Sequence, residues 1–169
     1  MYHAKEAGRA DYVFFTSELN VRVSELFALS NELRQALERN EFVLHYQPQV
    51  EVGTGRLVGV EVLIRWQHPE KGLIPPVKFI PVAEETGLIG PIGEWILRTA
   101  CAQSRHWQDA GLPPIPISVN LSAQQWLQPH IEQQVVAALE TNGLAPHLLE
   151  LEITESLLMR DTDKMIDTM

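Results

Sequence analysis

A single cysteine, Cys101, stands among 169 residues. That excludes an internal disulfide and fits a reducing compartment. Basic residues are scarce as well: 13 lysines and arginines face 22 aspartates and glutamates, for a formal net charge of -9. Such a chain repels a phosphate backbone, so binding to a nucleic-acid polymer is disfavoured. No apolar run approaches the length of a membrane span, and the N-terminus lacks the long apolar core of a signal peptide. The expectation is a cytoplasmic chain with no membrane segment of its own. No glycine-rich loop follows any strand-like stretch, which weighs against a Rossmann dinucleotide site. Internal repeats and low-complexity tracts are also lacking. The 45% hydrophobic content is enough for a globular domain with a real core.

The clearest positive signal is Val58–Trp66, a β-branched run in strict alternation, which predicts a strand. Val58, Val60, Val62 and Ile64 fall on one face, and Gly59, Glu61, Leu63 and Arg65 on the other. A carboxylate and a guanidinium thus point the same way, roughly 13 Å apart along the strand. The ordinary reading is an edge strand with two solvated charges. The functional one is a site, because a charge inside an apolar element is costly unless it has a task or a partner.

The rest of the chain predicts strands alternating with helices. Met1–Ala7 reads as helix and Tyr12–Thr16 as a short strand. Glu18–Asn40 carries leucines at three- and four-residue spacing, the pattern of a helix. Phe42–Val50 and Arg56–Trp66 flank a turn containing Gly53 and Gly55 and form a hairpin. His68–Pro76 reads as a loop. Helices follow at 77–86 and 93–110, a strand at 115–120, a helix over 122–142 broken at Pro129, a strand at 148–154 and the start of a helix at 160. Cys101 falls within the second of these helices, and a buried structural thiol is its expected role. Trp95, Leu97, Ala100 and Trp107 read as its packing residues. The alternation implies parallel βα units, compatible with either a doubly wound sheet or a (β/α)₈ barrel.

Three of the strands bring an oxygen donor near their ends: Glu61, Asn120 and Glu152. In a (β/α)₈ barrel the C-terminal strand ends converge on one mouth. Two carboxylates and a carboxamide are hard donors suited to Mg²⁺ or Mn²⁺. Each also has an ordinary reading, since Asn120 suits a turn or cap and Glu150 and Glu152 suit a solvated strand face. Gln47, taken alone, reads as a surface glutamine.

Glu61-Val62-Leu63, followed by Ile64-Arg65-Trp66, resembles the EAL motif of cyclic-di-GMP phosphodiesterases. The blocks Tyr46-Gln47-Pro48, Phe79-Ile80-Pro81-Val82-Ala83-Glu84, Ser118-Val119-Asn120-Leu121-Ser122 and Glu152-Ile153-Thr154-Glu155-Ser156 resemble further segments of that family, in family order. Met-Tyr-His-Ala-Lys-Glu-Ala-Gly-Arg at the start, with Tyr12, Phe14 and Phe15, resembles the C-terminal end of a GGDEF (diguanylate cyclase) domain. The resemblance implies three parts: a GGDEF remnant at 1–20, a linker helix at 21–40 and an EAL domain at 41–169. It implies Glu61, Asn120 and Glu152 as ligands of Mg²⁺ or Mn²⁺, with Glu61 in the catalytic centre. Gln47 and Arg65 match positions that contact cyclic di-GMP, and Glu155 matches a glutamate that supports an active-site loop. The implied reaction is metal-assisted hydrolysis of one phosphodiester bond to give linear pGpG.

Two departures from the family pattern bear on this. Val62 replaces the motif's alanine on the apolar face, where only packing is affected. The family's downstream paired aspartates, lysine, later glutamate and late glutamine have no counterparts here. A (β/α)₈ domain takes ~250 residues. The expectation is therefore the first half only of a TIM-like barrel, led by a β-hairpin, and a chain inactive in isolation. The alternative is a regulatory module that binds cyclic di-GMP without cutting it, or that pairs with a second copy as a homodimer.

Overall fold

The structure, a computed structural model, describes residues 17–153. The expected helix at 1–7, strand at 12–16, Glu155 and the helix start at 160 lie outside the described residues.

Helix α1 (Ser17–Glu38) leads into a hairpin of β1 (Phe42–Val50) and β2 (Leu57–His68). The hairpin turn closes with Gly55 N–H donating to Glu51 O at 2.8 Å. Gly55 sits at φ 68°, a conformation that costs glycine little and other residues more. Next come β3 (Gly72–Ile74), α2 (Pro76–Glu85), α3 (Ile89–Asp109), β4 (Ile117–Leu121), the single-turn α4 (Ala123–Trp126), α5 (Ile131–Asn142) and β5 (Leu149–Ile153).

β1 pairs antiparallel with β2. β4 then pairs parallel with β2, and β5 parallel with β4. After the hairpin, each crossover therefore adds the next strand on the same side, in the order β1-β2-β4-β5. A doubly wound sheet reverses direction from its first strand; sequential addition is the wall of a barrel. The expected β-hairpin and TIM-like arc are both present.

One face of this wall is apolar and covered. Val60, Val62, Ile64 and Trp66 of β2 join Ile117, Val119 and Leu121 of β4 beneath α2 and α3, all buried with Phe79, Ile92, Leu97 and Cys101. An aromatic knot packs at the end of the β1–β2 pair away from its turn. Phe42 lies 6.1 Å from Trp66, 5.7 Å from Phe79 and 6.0 Å from Trp95, centroid to centroid. Trp66 is fully buried, and its Nε1–H donates to Glu41 Oε2 at 3.0 Å. That bond satisfies a polar group which would otherwise be costly inside the core.

Helix α1 is fastened to this assembly by Leu33 and Ala36, both buried. Lys71 Nζ also meets Glu32 Oε2 at 2.6 Å. Strand ends shift by one or two residues from the expectation, and two differences are larger. β3 lies in the expected loop, and its three residues pair with Trp66–His68. α3 begins at Ile89 rather than Gly93, because Pro91 falls in its first turn, where no intrahelical N–H bond is required.

Candidate functional site

The opposite face of the sheet is polar. In the register Gln47 faces Glu61, Glu61 faces Ser118, Ser118 faces Glu150 and Asn120 faces Glu152. Paired residues share a face, so all of these side chains stand on the side away from the helices. Arg65 does too, four residues beyond Glu61. The strand alternation expected around Val58–Trp66 is thus the division between core and site. Glu61 and Arg65 are half-buried, whereas Gln47, Asn120 and Glu152 are exposed.

Asn120 Nδ2 donates to Glu61 Oε1 at 2.8 Å. The bond runs on a diagonal, since Glu61 is level with Ser118, two residues before Asn120. A carboxamide whose nitrogen donates in this way keeps its oxygen lone pairs available to accept a hydrogen bond or to ligate a cation. One row below, Ser118 Oγ donates to Glu150 Oε2 at 3.0 Å, and Ser118 is only 2% exposed. The β4–β5 seam beneath Asn120 and Glu152 is therefore fixed by a side-chain bond as well as by the ladder.

The site residues expected from sequence divide into two groups. Gln47, Glu61, Asn120 and Glu152 occupy adjacent positions on three strand seams. Arg65 stands two pleats further along β2, opposite Val43, and its Nη1 donates to Ile64 O at 2.8 Å. That places a guanidinium at the rim above the carboxylates. It does not join them in an ion pair among the described residues.

The donors also test whether a divalent cation fits. Among the described residues no group of three or more His, Cys, Asp and Glu side chains stands together as a metal centre. The set is two carboxylates and one carboxamide. Three hard oxygens on one open face suit Mg²⁺ or Mn²⁺, which take six oxygens, and Mg²⁺ retains several waters. The residues present fit part of such a shell.

Among the described residues, two groups are perturbed by burial alone. The Tyr46 phenol, stacked edge-on against Trp107 at 4.8 Å, is pushed up to about 12. The Cys101 thiol is pushed up to about 11. A thiol in that state is no nucleophile, so the cysteine is structural, as its place in the sequence suggested.

A wall of sequentially added βα units, with oxygen-bearing side chains at neighbouring positions on its polar face, defines a barrel-type α/β protein. The EAL-domain family profile matches residues 30–169, and the chain belongs to the EAL domain family. It is 51% identical over 163 residues to the bifunctional diguanylate cyclase/cyclic di-GMP phosphodiesterase MucR of Pseudomonas aeruginosa, a match that takes in 96% of this chain and 24% of MucR. It is 40% identical over 163 residues to the cyclic di-GMP phosphodiesterase PdeR of Escherichia coli, covering 96% of this chain and 24% of PdeR. The chain thus spans about a quarter of the length of these curated relatives. The solved PaMucR phosphodiesterase in its c-di-GMP complex superposes with a TM-score of 0.77 at 51% identity, over 81% of this chain and 56% of that one.

Two features were missed by sequence reasoning. Ser118 lies within the matched Ser118–Ser122 block, yet nothing local signals its bond to a glutamate 32 residues away. Gln125 is buried at 4% exposure, and nothing in the helical pattern over 122–142 marks it.

Proposed function

We propose that this chain supplies the first part of a divalent-metal-dependent cyclic-di-GMP phosphodiesterase site. Glu61, Asn120 and Glu152 hold Mg²⁺ or Mn²⁺, and Gln47 and Arg65 contact the dinucleotide. Glu155 supports a loop of the same centre. The reading is supported by the Asn120–Glu61 bond, which joins side chains from two strands on the face that also carries Glu152, in a chain 51% identical to the bifunctional diguanylate cyclase/cyclic di-GMP phosphodiesterase MucR.

The metal, when bound, polarises a phosphoryl oxygen and lowers the pKa of a water. The chain's own part is to bind and to orient. Arg65 presents a planar fork to phosphate oxygens from the rim. Gln47, level with Glu61, offers an amide that can donate to phosphate or guanine. Asn120 fixes Glu61 by its N–H and leaves an oxygen for the cation.

Three protein oxygens fill half of an octahedral shell. Residues 1–169 by themselves accordingly bind cyclic di-GMP with little or no turnover. A remnant of a GGDEF domain at 1–20 and a linker helix at 21–40 accord with MucR being a bifunctional diguanylate cyclase/cyclic di-GMP phosphodiesterase. A cytoplasmic setting accords with the lone buried Cys101. Among the described residues, no helix is long and apolar enough to cross a membrane.

The test is calorimetric titration with cyclic di-GMP in Mn²⁺, followed by chromatography for pGpG. Saturable binding without product is expected. A flat titration contradicts the reading of the site, and rapid pGpG formation contradicts the reading of the isolated chain as inactive. A monomer in sedimentation with intact binding removes the homodimer alternative.

A further inference from the structure

Two buried glycines, Gly90 and Gly93, lie three residues apart near the start of α3. Neither has a positive φ, so backbone conformation does not demand glycine at either place. At Gly93, which faces a buried side chain, space favours it. A Cβ on Gly93 would collide with Gln125 Nε2 and stand 2.9 Å from Gln125 Cδ. A Cβ on Gly90 would stand 2.9 Å from Gln128 Nε2 and 3.2 Å from Gln128 Oε1. Each glycine is a seat for a glutamine arriving from the segment after β4.

The first of these glutamines also organises its own segment. Gln125 Oε1 accepts from Ser122 N–H at 3.1 Å, and Gln125 N–H donates to Ser122 Oγ at 3.3 Å. The two bonds make a reciprocal capping box at the start of α4. A four-residue helix is far below the length that sustains itself in water, so local bonding alone does not hold it. It is anchored by the Gln125 side chain seated against Gly93 and by Trp126 packed on the core. Ser122, the other half of the box, is two residues past Asn120.

We propose that Gln125, seated against Gly93, is a positioning residue for Asn120. By tying Ser122 and locking into α3 it fixes the exit of β4, so that the Asn120 carboxamide meets Glu61. The part of this that concerns metal affinity rests on the function proposed above. The part that concerns the orientation of Asn120 does not.

The test uses the full chain with two readouts. One is the side-chain amide NMR signal of Asn120, identified by its loss in Asn120→Asp. The other is Mn²⁺ affinity by titration. Gln125→Ala and Gly93→Ala are each expected to move the Asn120 signal toward that of a free amide and to weaken Mn²⁺ binding about 10- to 100-fold, the usual effect of losing an outer-shell partner. Gln125→Glu, which retains the acceptor that a capping box needs, restores most of the affinity. The double variant Gly93→Ala/Gln125→Ala is no worse than Gln125→Ala alone, because the added methyl enters an emptied seat. If a single variant fails to fold, the double variant and Gln125→Glu carry the comparison. An Asn120 signal unmoved in folded Gln125→Ala, or losses that simply add in the double variant, overturn the proposal. Absence of Mn²⁺ binding by the unaltered chain contradicts the functional reading, and the NMR signal then judges the positioning role by itself.

Discussion

Asn120 and Glu61 are 59 positions apart in sequence and joined by one 2.8 Å bond across two parallel strands. Asn120→Asp replaces the donor with a second carboxylate. Without metal, the variant is expected to be less stable at pH 7 by up to ~1 kcal/mol, the scale of exposed charge pairs. The deficit shrinks at about 1 M salt, which screens charges over only about 3 Å. Urea unfolding at low and at high salt measures it. An equal deficit at both would mean that charge repulsion is not the cause.

Arg65 stands alone at the rim and makes no ion pair among the described residues, so little of the fold depends on its charge. Arg65→Ala is expected to lower affinity for cyclic di-GMP roughly 10- to 100-fold, the worth of a charge-assisted phosphate contact, with the melting temperature almost unchanged. Arg65→Lys restores only part of it, because an ammonium cannot make the bidentate contact. Isothermal titration beside a melt separates these outcomes.

Trp66 Nε1 has Glu41 as its partner at 3.0 Å inside the core. Glu41→Ala leaves a buried N–H unpaired, at a cost of about 1–3 kcal/mol. The expected result is a fall of several degrees in melting temperature without change in metal affinity. A melt identical to that of the unaltered chain would show that water replaces the carboxylate.

The Tyr46 phenol is raised to about 12 from an ordinary 10.0, and the Cys101 thiol to about 11 from 9.0, both by burial. In each case the folded state holds a proton that the unfolded state has lost. Their contribution to stability is intact below pH 9 and drains away as pH climbs through about 11 and 12. Cys101 should also resist iodoacetamide at pH 8 until the chain unfolds. Labelling as fast as that of a free thiol would place Cys101 outside the core.

The barrel wall was legible because its signal is periodic. Strict alternation in β2 separated Val60, Val62 and Ile64 from Glu61 and Arg65, and the register preserves that division. Periodicity alone left the choice between a doubly wound sheet and a barrel open, because it rests on which side each new strand joins; the family resemblance supplied the barrel. β3 escaped detection because three residues between a glycine and two prolines carry no period. The start of α3 was read late because Gly90, Pro91 and Gly93 look like helix breakers. Packing overrides that signal, since Pro91 occupies a first turn and the glycines receive Gln128 and Gln125. The same physics hides Gln125 itself, whose role is visible only from the helix it touches. The oxygen donors were identifiable as types. Their meeting on one face became a fact only with the pairing of β2, β4 and β5.

Mn²⁺ titration of the full chain, unaltered and as Glu61→Gln and Glu152→Gln, tests the shared cation site most directly. Saturable binding that weakens at least about tenfold in each variant, with melts in the absence of metal little changed, is the expected result. Equal affinity in all three proteins would mean that these strands do not grip a common ion.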